Sequence, residues 1–257
     1  MISTCKNCNH HFKGNFCNEC GQKQAIGTFT FKSIFTEAFL AFTHADKGIL
    51  KLLRSLLINP GKVAYEYIAE CKRKKYFNLF TFFVIITAVA AFVENKDIVV
   101  KEALFKVDNE YGQVFNVYSK VLTLLTIPLL ALALWLINYT KNGLRYSEYT
   151  VFAMILMSVK SIIDIVARLV NLLFTGVFKL YTAVDENIFY AVFLMLFMGY
   201  ASYNFHKRKI KKPWFRSLLS GFAFCIIQVA LIIFIVWAIL RNFNGLGIFS
   251  IYGISNR

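Results

Sequence analysis

Residues 149–174 read YTVFAMILMSVKSIIDIVARLVNLLF, and the fold turns on whether this stretch crosses a membrane. As a helix rising 1.5 Å per residue it would extend about 39 Å, enough for a hydrocarbon core roughly 30 Å thick. Against a crossing stand Lys160, Asp164 and Arg168, four residues apart on one helical stripe, with Asn171 three further on. Each charge costs roughly 2.5–3.5 kcal/mol near mid-bilayer on insertion scales, which disfavours a lipid-facing placement. Pairing among the three at this spacing lowers that cost.

Four further stretches have the length and apolar character of spans: residues 77–93, 121–139, 187–205 and 218–240. The segments between them decide the number. Residues 1–76 carry 12 Lys/Arg against 5 Asp/Glu, and residues 206–216 carry 6 Lys/Arg and no acid. Residues 94–117 carry 3 Lys against 5 acids, and residues 174–186 carry 1 Lys against 2. An excess of Lys/Arg in short loops marks the cytoplasmic side. Five spans with the N-terminus inside place both basic segments inside and both acidic ones outside. Without a crossing at 149–174, the last two would be reversed. The expected fold is therefore a membrane all-α protein of about five transmembrane helices, N-terminus cytosolic and C-terminus outside.

Composition agrees. The 257 residues are 58% hydrophobic and 17% charged, where a soluble domain runs near 45–50% apolar and about 25% charged. An ordinary soluble enzyme is excluded, and 27 Phe with only 3 Pro exclude disordered or collagen-like chains. Of the net charge of +15, the two basic segments hold +13. That charge orients the helices first. Second, it attracts anionic lipid headgroups, at about 1 kcal/mol per residue near the surface. The residues concerned are Lys72, Arg73, Lys74 and Lys75, and then Lys207, Arg208, Lys209, Lys211 and Lys212. Nucleic acid is a poor fit, because interfacial Trp and basic anchors account for the Lys-Pro-Trp-Phe-Arg run. The N-terminus opens with cysteines and polar residues, which is not the pattern of a cleavable signal peptide.

Four of the six cysteines fall in the first 20 residues, as Cys5-Lys-Asn-Cys8 and Cys17-Asn-Glu-Cys20. Two CxxC pairs in a cytosolic segment provide four thiolates, enough to close a tetrahedral Zn²⁺ shell, and reducing conditions oppose a disulfide. Asn9 and Gly21 follow the two pairs and tolerate the left-handed backbone expected there. Lys13-Gly14-Asn15 can turn a small β-hairpin, flanked by Phe12 and Phe16 as its apolar packing. So small a unit has no core of its own, and metal supplies most of its folding free energy, on the order of 10–16 kcal/mol. His10 and His11 could replace a ligand or simply lie exposed. Cys71 and Cys225 stand outside this set.

Residues 1–27 thus read as a zinc ribbon, 28–76 as interfacial amphipathic helices with a basic linker, and 77–257 as the bundle. In the linker, Phe31, Ile34, Phe35, Ala38, Phe39 and Phe42 recur at helical spacing, as do Ile49, Leu52, Leu53, Leu56 and Leu57. These faces suit helices lying on the inner interface or packing on the bundle. Asn59-Pro60-Gly61 breaks the helix, and residues 62–75 lead a basic amphipathic segment to the membrane.

Taken together, Cys17-x-x-Cys20-Gly21-Gln22, Pro60-Gly61, Tyr67-Ile68, Lys72-Arg73 and Lys75-Tyr76 resemble an uncharacterised bacterial family of multi-pass membrane proteins. That family is defined by a domain of unknown function, and the resemblance covers roughly residues 1–90. It implies an inner-membrane protein with a cytosolic ribbon, and no activity. One departure is Glu70-Cys71, where the family would have a glycine before the basic pair.

No Walker loop, Gly-rich dinucleotide fingerprint, HExxH or Gly-x-Ser-x-Gly occurs. The expectation is a non-enzymatic scaffold or regulator whose ribbon docks a cytosolic or membrane protein, with an oligomer compatible. The alternative is a small channel or transporter whose polar path runs by Lys160, Asp164 and Arg168. In the structural alternative the same stripe packs against Gln228, or against Tyr200, Tyr203 and Asn204. A lipid-modifying enzyme is the weaker third reading, lacking a nucleophile–base pair.

Overall fold

The computed structural model describes residues 3–24, 48–105, 110–138, 143–178, 188–208 and 213–243. The stretch containing Phe31 to Phe42, and Lys209, Lys211 and Lys212, lie outside the described residues. Among these residues the chain is mostly helical, with a two-stranded antiparallel sheet at the N-terminus. In that sheet β1 (Ser3–Thr4) pairs with β2 (His11–Phe12), Ser3 opposite Phe12. A second bridge joins Phe16 to Lys23. Strand pairing therefore encloses each CxxC knuckle, rather than closing across Lys13-Gly14-Asn15 as expected. Those three residues connect the knuckles instead.

Helix α1 (Ile49–Ile58) buries Leu52 and Leu56, one turn apart, while Leu50 and Leu57 stay exposed. Asn59 then serves two helices. Its N–H closes α1 on the Ser55 carbonyl, and its side chain accepts from Lys62 N–H at 2.9 Å to cap α2 (Pro60–Ile68). Pro60 fills the first helical position, where a missing N–H costs nothing.

Of the two placements its amphipathic pattern allowed, on the interface or against the bundle, α2 shows the second and is buried on nearly every side. Pro60, Gly61, Val63, Ala64, Glu66, Tyr67 and Ile68 are all buried. The physical reason is Gly61, whose missing side chain lets α2 close onto the Ala201 carbonyl. A 3-10 turn (Arg73–Lys75) leads on to α3 (Leu79–Phe105), opened by Asn78, whose side chain accepts from the N–H of Phe80 and Thr81.

The remaining helices are α4 (Glu110–Asn138), α5 (Tyr146–Phe178), α6 (Ile188–His206) and α7 (Pro213–Phe243). The expected 94–117 loop is therefore largely helical, because α3 and α4 run past their apolar stretches. Helix α5 is central, packed against α3 and α4; α4 also meets α7, and α7 pairs with α6. Helix α2 sits on α6 and α5, which also meet each other through side chains such as Phe152 and Phe205. Glycines set the α6/α7 approach: a Cβ at Gly221 would lie 2.5 Å from the Met195 carbonyl.

The core runs through Phe82, Leu130, Leu134, Phe152, Leu156, Met198 and Phe205. Among the described residues, two helices are long and apolar enough to cross a membrane, Tyr146–Thr175 and Pro213–Phe234; Thr123–Asn138 is a shorter apolar stretch. The first is 67% buried within the bundle and the second only 22%, so α7 turns its apolar side outward. Leu125, Leu129, Leu132 and Leu136 of α4 and Phe189, Phe193 and Leu196 of α6 are exposed as well. Contiguous apolar surface on this scale marks contact with something other than water.

Candidate metal centre and charge clusters

The two knuckles repeat the same backbone chemistry twelve residues apart. Asn9 N–H donates to the Cys5 carbonyl and Cys5 N–H to the His10 carbonyl, both at 2.9 Å. In the second knuckle, Gly21 N–H donates to the Cys17 carbonyl at 2.8 Å and Cys17 N–H to the Gln22 carbonyl at 2.9 Å. Asn9 (φ 61°) and Gly21 (φ 68°) adopt the expected left-handed conformation. Each knuckle thus turns its sulfurs inward. Cys5 Sγ lies 3.6 Å from Cys20 Sγ, as Cys8 Sγ does from Cys17 Sγ, and all four lie within 4.8 Å of one another.

These are four free thiols, well beyond the roughly 2.05 Å of a disulfide, and they could hold a metal ion. Their acidities split accordingly. Burial pushes Cys5 up, but backbone N–H groups of Cys8 and Asn7 and the Cys20 and Cys8 thiols outweigh it and hold it at about 7. For Cys8 the His10 backbone contact pulls down, but desolvation and the thiols of Cys17, Cys20 and Cys5 push it up to about 12. One thiolate is welcome here and further ones repel, so full ionisation calls for a cation among them. His11 instead bonds Thr4 Oγ1 at 3.0 Å. Phe12 is buried against Cys5 and Cys17, whereas Phe16 is 59% exposed.

Beneath the ribbon the basic residues fall into two groups. Glu66, buried in α2, accepts from Lys75 Nζ at 2.5 Å and Tyr76 Oη at 2.6 Å. Burial pushes its carboxyl up, but the Lys75 and Tyr76 hydrogen bonds and the Lys75 and Lys62 charges hold it below the usual range. Tyr76 is raised in return, by burial first and then by Glu66. Glu70 bridges Lys72 (2.6 Å) and Arg208 (2.9 Å), whose guanidinium lies 4.9 Å from the Tyr65 ring centre. The Glu70 hydrogen bond and charge raise Lys72. Residues 70–75 and 207–208, distant in sequence, thus form one basic face. His206 turns inward, its ring 3.2 Å from Tyr149 Oη and 2.8 Å from the Ser202 carbonyl.

The charges of the 160–168 stripe pair partly among themselves, as their spacing implies, and partly with other helices. Lys160 pairs with Asp164 at 2.6 Å, and Asp164 also accepts from Tyr190 Oη of α6. Arg168 reaches α3, at 2.8 Å to Glu94 and 3.5 Å to fully buried Asp97. Gln228 instead lies 3.5 Å from Thr126 Oγ1, and Asn204 bonds the Tyr200 carbonyl and Lys207. Asn171 is fully buried one turn beyond Arg168. Glu94 and Asp97 sit three residues apart, hence on one face of α3, a spacing that would have marked them as a partner pair.

Among the described residues the chain is thus a helical bundle with two membrane-length apolar helices and an N-terminal cysteine cluster able to hold a metal ion. It is similar over residues 46–91 to a family described as a protein of unknown function, DUF3667. That stretch spans α1, α2, the turn with Lys72-Arg73 and the start of α3; the cysteine cluster lies before it. No curated protein and no solved structure matches the chain.

Proposed function

We propose that the protein is a multi-pass, non-enzymatic scaffold or regulator of the bacterial inner membrane, with a structural zinc ribbon held on its cytosolic face. The observation that carries it is the four-sulfur cluster. Four thiolates about 2.3 Å from a zinc ion sit about 3.8 Å apart, close to the 3.6 Å of the two short pairs. Four protein ligands leave no open position for substrate or water, so such a site builds structure. The exposed apolar faces of α4, α6 and α7 support five spans, and the face formed by residues 70–75 and 207–208 supports contact with anionic headgroups. Exposed Phe16, at the ribbon surface, supports docking of a protein partner there.

The partners found for Lys160, Asp164 and Arg168 support a structural role, since each charge is spent on joining α5 to itself, α6 or α3. The test of the scaffold is Cys17→Ser. It should unfold the ribbon and abolish cross-links to the partner in cells while membrane insertion stays intact. Unchanged cross-links would overturn the proposal.

A further inference from the structure

Gln22 belongs to the ribbon and is buried, 4% exposed, because its side chain is spent on the turn between α2 and α3. Its Nε2 donates to the Cys71 carbonyl at 3.1 Å, and its Oε1 accepts from Lys74 N–H at 3.5 Å. Cys71 stands at φ 56°, a left-handed conformation that an L residue bearing a Cβ adopts only at a cost. Such a turn needs to be held from outside. Lys72 N–H returns to the Glu66 carbonyl at 2.9 Å, and the Glu66 carboxylate takes Lys75 and Tyr76. Gln22 supplies the hold on the strained residue itself. Its own place is set by the second knuckle, where the Gln22 carbonyl accepts from Cys17 N–H. A single residue therefore belongs to both the knuckle and the turn, and the turn carries α2, the helix seated between α5 and α6.

We propose that the ribbon is a metal-dependent latch on the bundle. With the four thiolates on a metal ion, Gln22 is positioned to pin the Cys71–Lys74 turn and, through it, the seating of α2. Loss of the metal dissolves the knuckle, frees Gln22 and releases the turn. The latch rests on the cysteine cluster being a metal site, as proposed above.

The test is hydrogen exchange of the backbone amides of residues 72–75 in the full-length protein in lipid nanodiscs, with zinc content measured on the same samples. Gln22→Met keeps the volume and removes both hydrogen bonds. Exchange over 72–75 should rise at least tenfold in Gln22→Met that still carries zinc, and by a similar factor in the wild type stripped by a chelator. Adding Cys71→Gly to Gln22→Met should restore most of the protection, since glycine adopts this conformation without strain. A merely structural contact would give the first rise without the chelator response. Wild-type exchange rates in zinc-loaded Gln22→Met, or in chelated protein shown to have lost its zinc, overturn the latch alone. A wild-type protein that takes up no zinc overturns the metal site and the latch together.

Discussion

Gly61→Ala is the sharpest test of how α2 is seated. The added Cβ would lie 2.1 Å from the Ala201 carbonyl oxygen and 2.8 Å from both Asn204 Cβ and Phe205 N. A carbon ordinarily approaches a carbonyl oxygen to about 3.3–3.6 Å, so α2 must retreat from α6 by more than roughly 1 Å. A radial gap of about 0.5–1 Å already forfeits a quarter to a half of each dispersion contact along the interface. Around Gly61, α2 buries Val63, Ala64 and Tyr67. Overpacking a close-packed core costs about 1–3 kcal/mol. The upper end applies, because the obstacle is backbone and cannot rotate aside. Gly143→Ala is the control: φ there is 60° and nothing lies within 4 Å, leaving only the left-handed strain of about 1–2 kcal/mol. Thermal unfolding in detergent should show Gly61→Ala lower by about 6–12 °C and the control by about 2–8 °C, at about 2–4 °C per kcal/mol for a chain of this size. A Gly61→Ala protein as stable as Gly143→Ala would refute the seating of α2 against α6.

Three further outcomes are expected. Glu66→Gln should cost about 1–2 kcal/mol at neutral pH by removing a charge-assisted pair, with the value kept low by the half-exposed Lys75. Because the folded carboxyl titrates below its ordinary 4.5, its contribution is present above that pH and lost as pH falls through the folded value. The wild type should therefore lose more stability than Glu66→Gln between about pH 5 and pH 3; equal losses would count against the Glu66 network. Arg168→Ala removes a counter-charge from Glu94 and buried Asp97 and should cost about 3 kcal/mol of stability. Asp164→Asn keeps an acceptor for Tyr190 and should cost less. Altered flux at full folded yield in either variant would favour a transport path instead. Finally, alkaline phosphatase fused after residue 257 should be active and the same enzyme fused after residue 208 inactive, as five spans require; the reverse pattern removes a span.

The ribbon was legible in the sequence because its geometry is local. Two CxxC pairs, with Asn9 and Gly21 at the left-handed positions, specify the knuckles with no help from the rest of the chain. The exception is Phe16, whose exposure depends on Phe12 alone sufficing to cover Cys5 and Cys17. In the bundle the helices were legible as apolar runs, but their partners were not. Arg168 and Glu94 are separated by 74 positions, and no periodicity links residues on two helices. For helix α2 the sequence left interface and bundle open, for a related reason. Its amphipathic pattern reports that one face is apolar, whereas its burial on the other faces depends on the absent side chain of Gly61 meeting a backbone carbonyl on α6.

Cys71 shows how a mismatch in sequence can carry structural information. Cysteine stands before Lys72-Arg73, where the resemblance implied glycine. The structure keeps the turn and accepts a side chain at φ 56°. A glycine would need no support at that point, but a cysteine does, and the Cys71 carbonyl is the atom that Gln22 grips from 49 residues away. The departure from the family pattern and the buried glutamine are therefore one feature. Had Cys71→Gly been the natural residue, the turn would stand unaided and the Gln22 contact would carry little. With cysteine in place, the conformation of the turn becomes dependent on the ribbon, and this position is what would couple the cysteine cluster to the bundle.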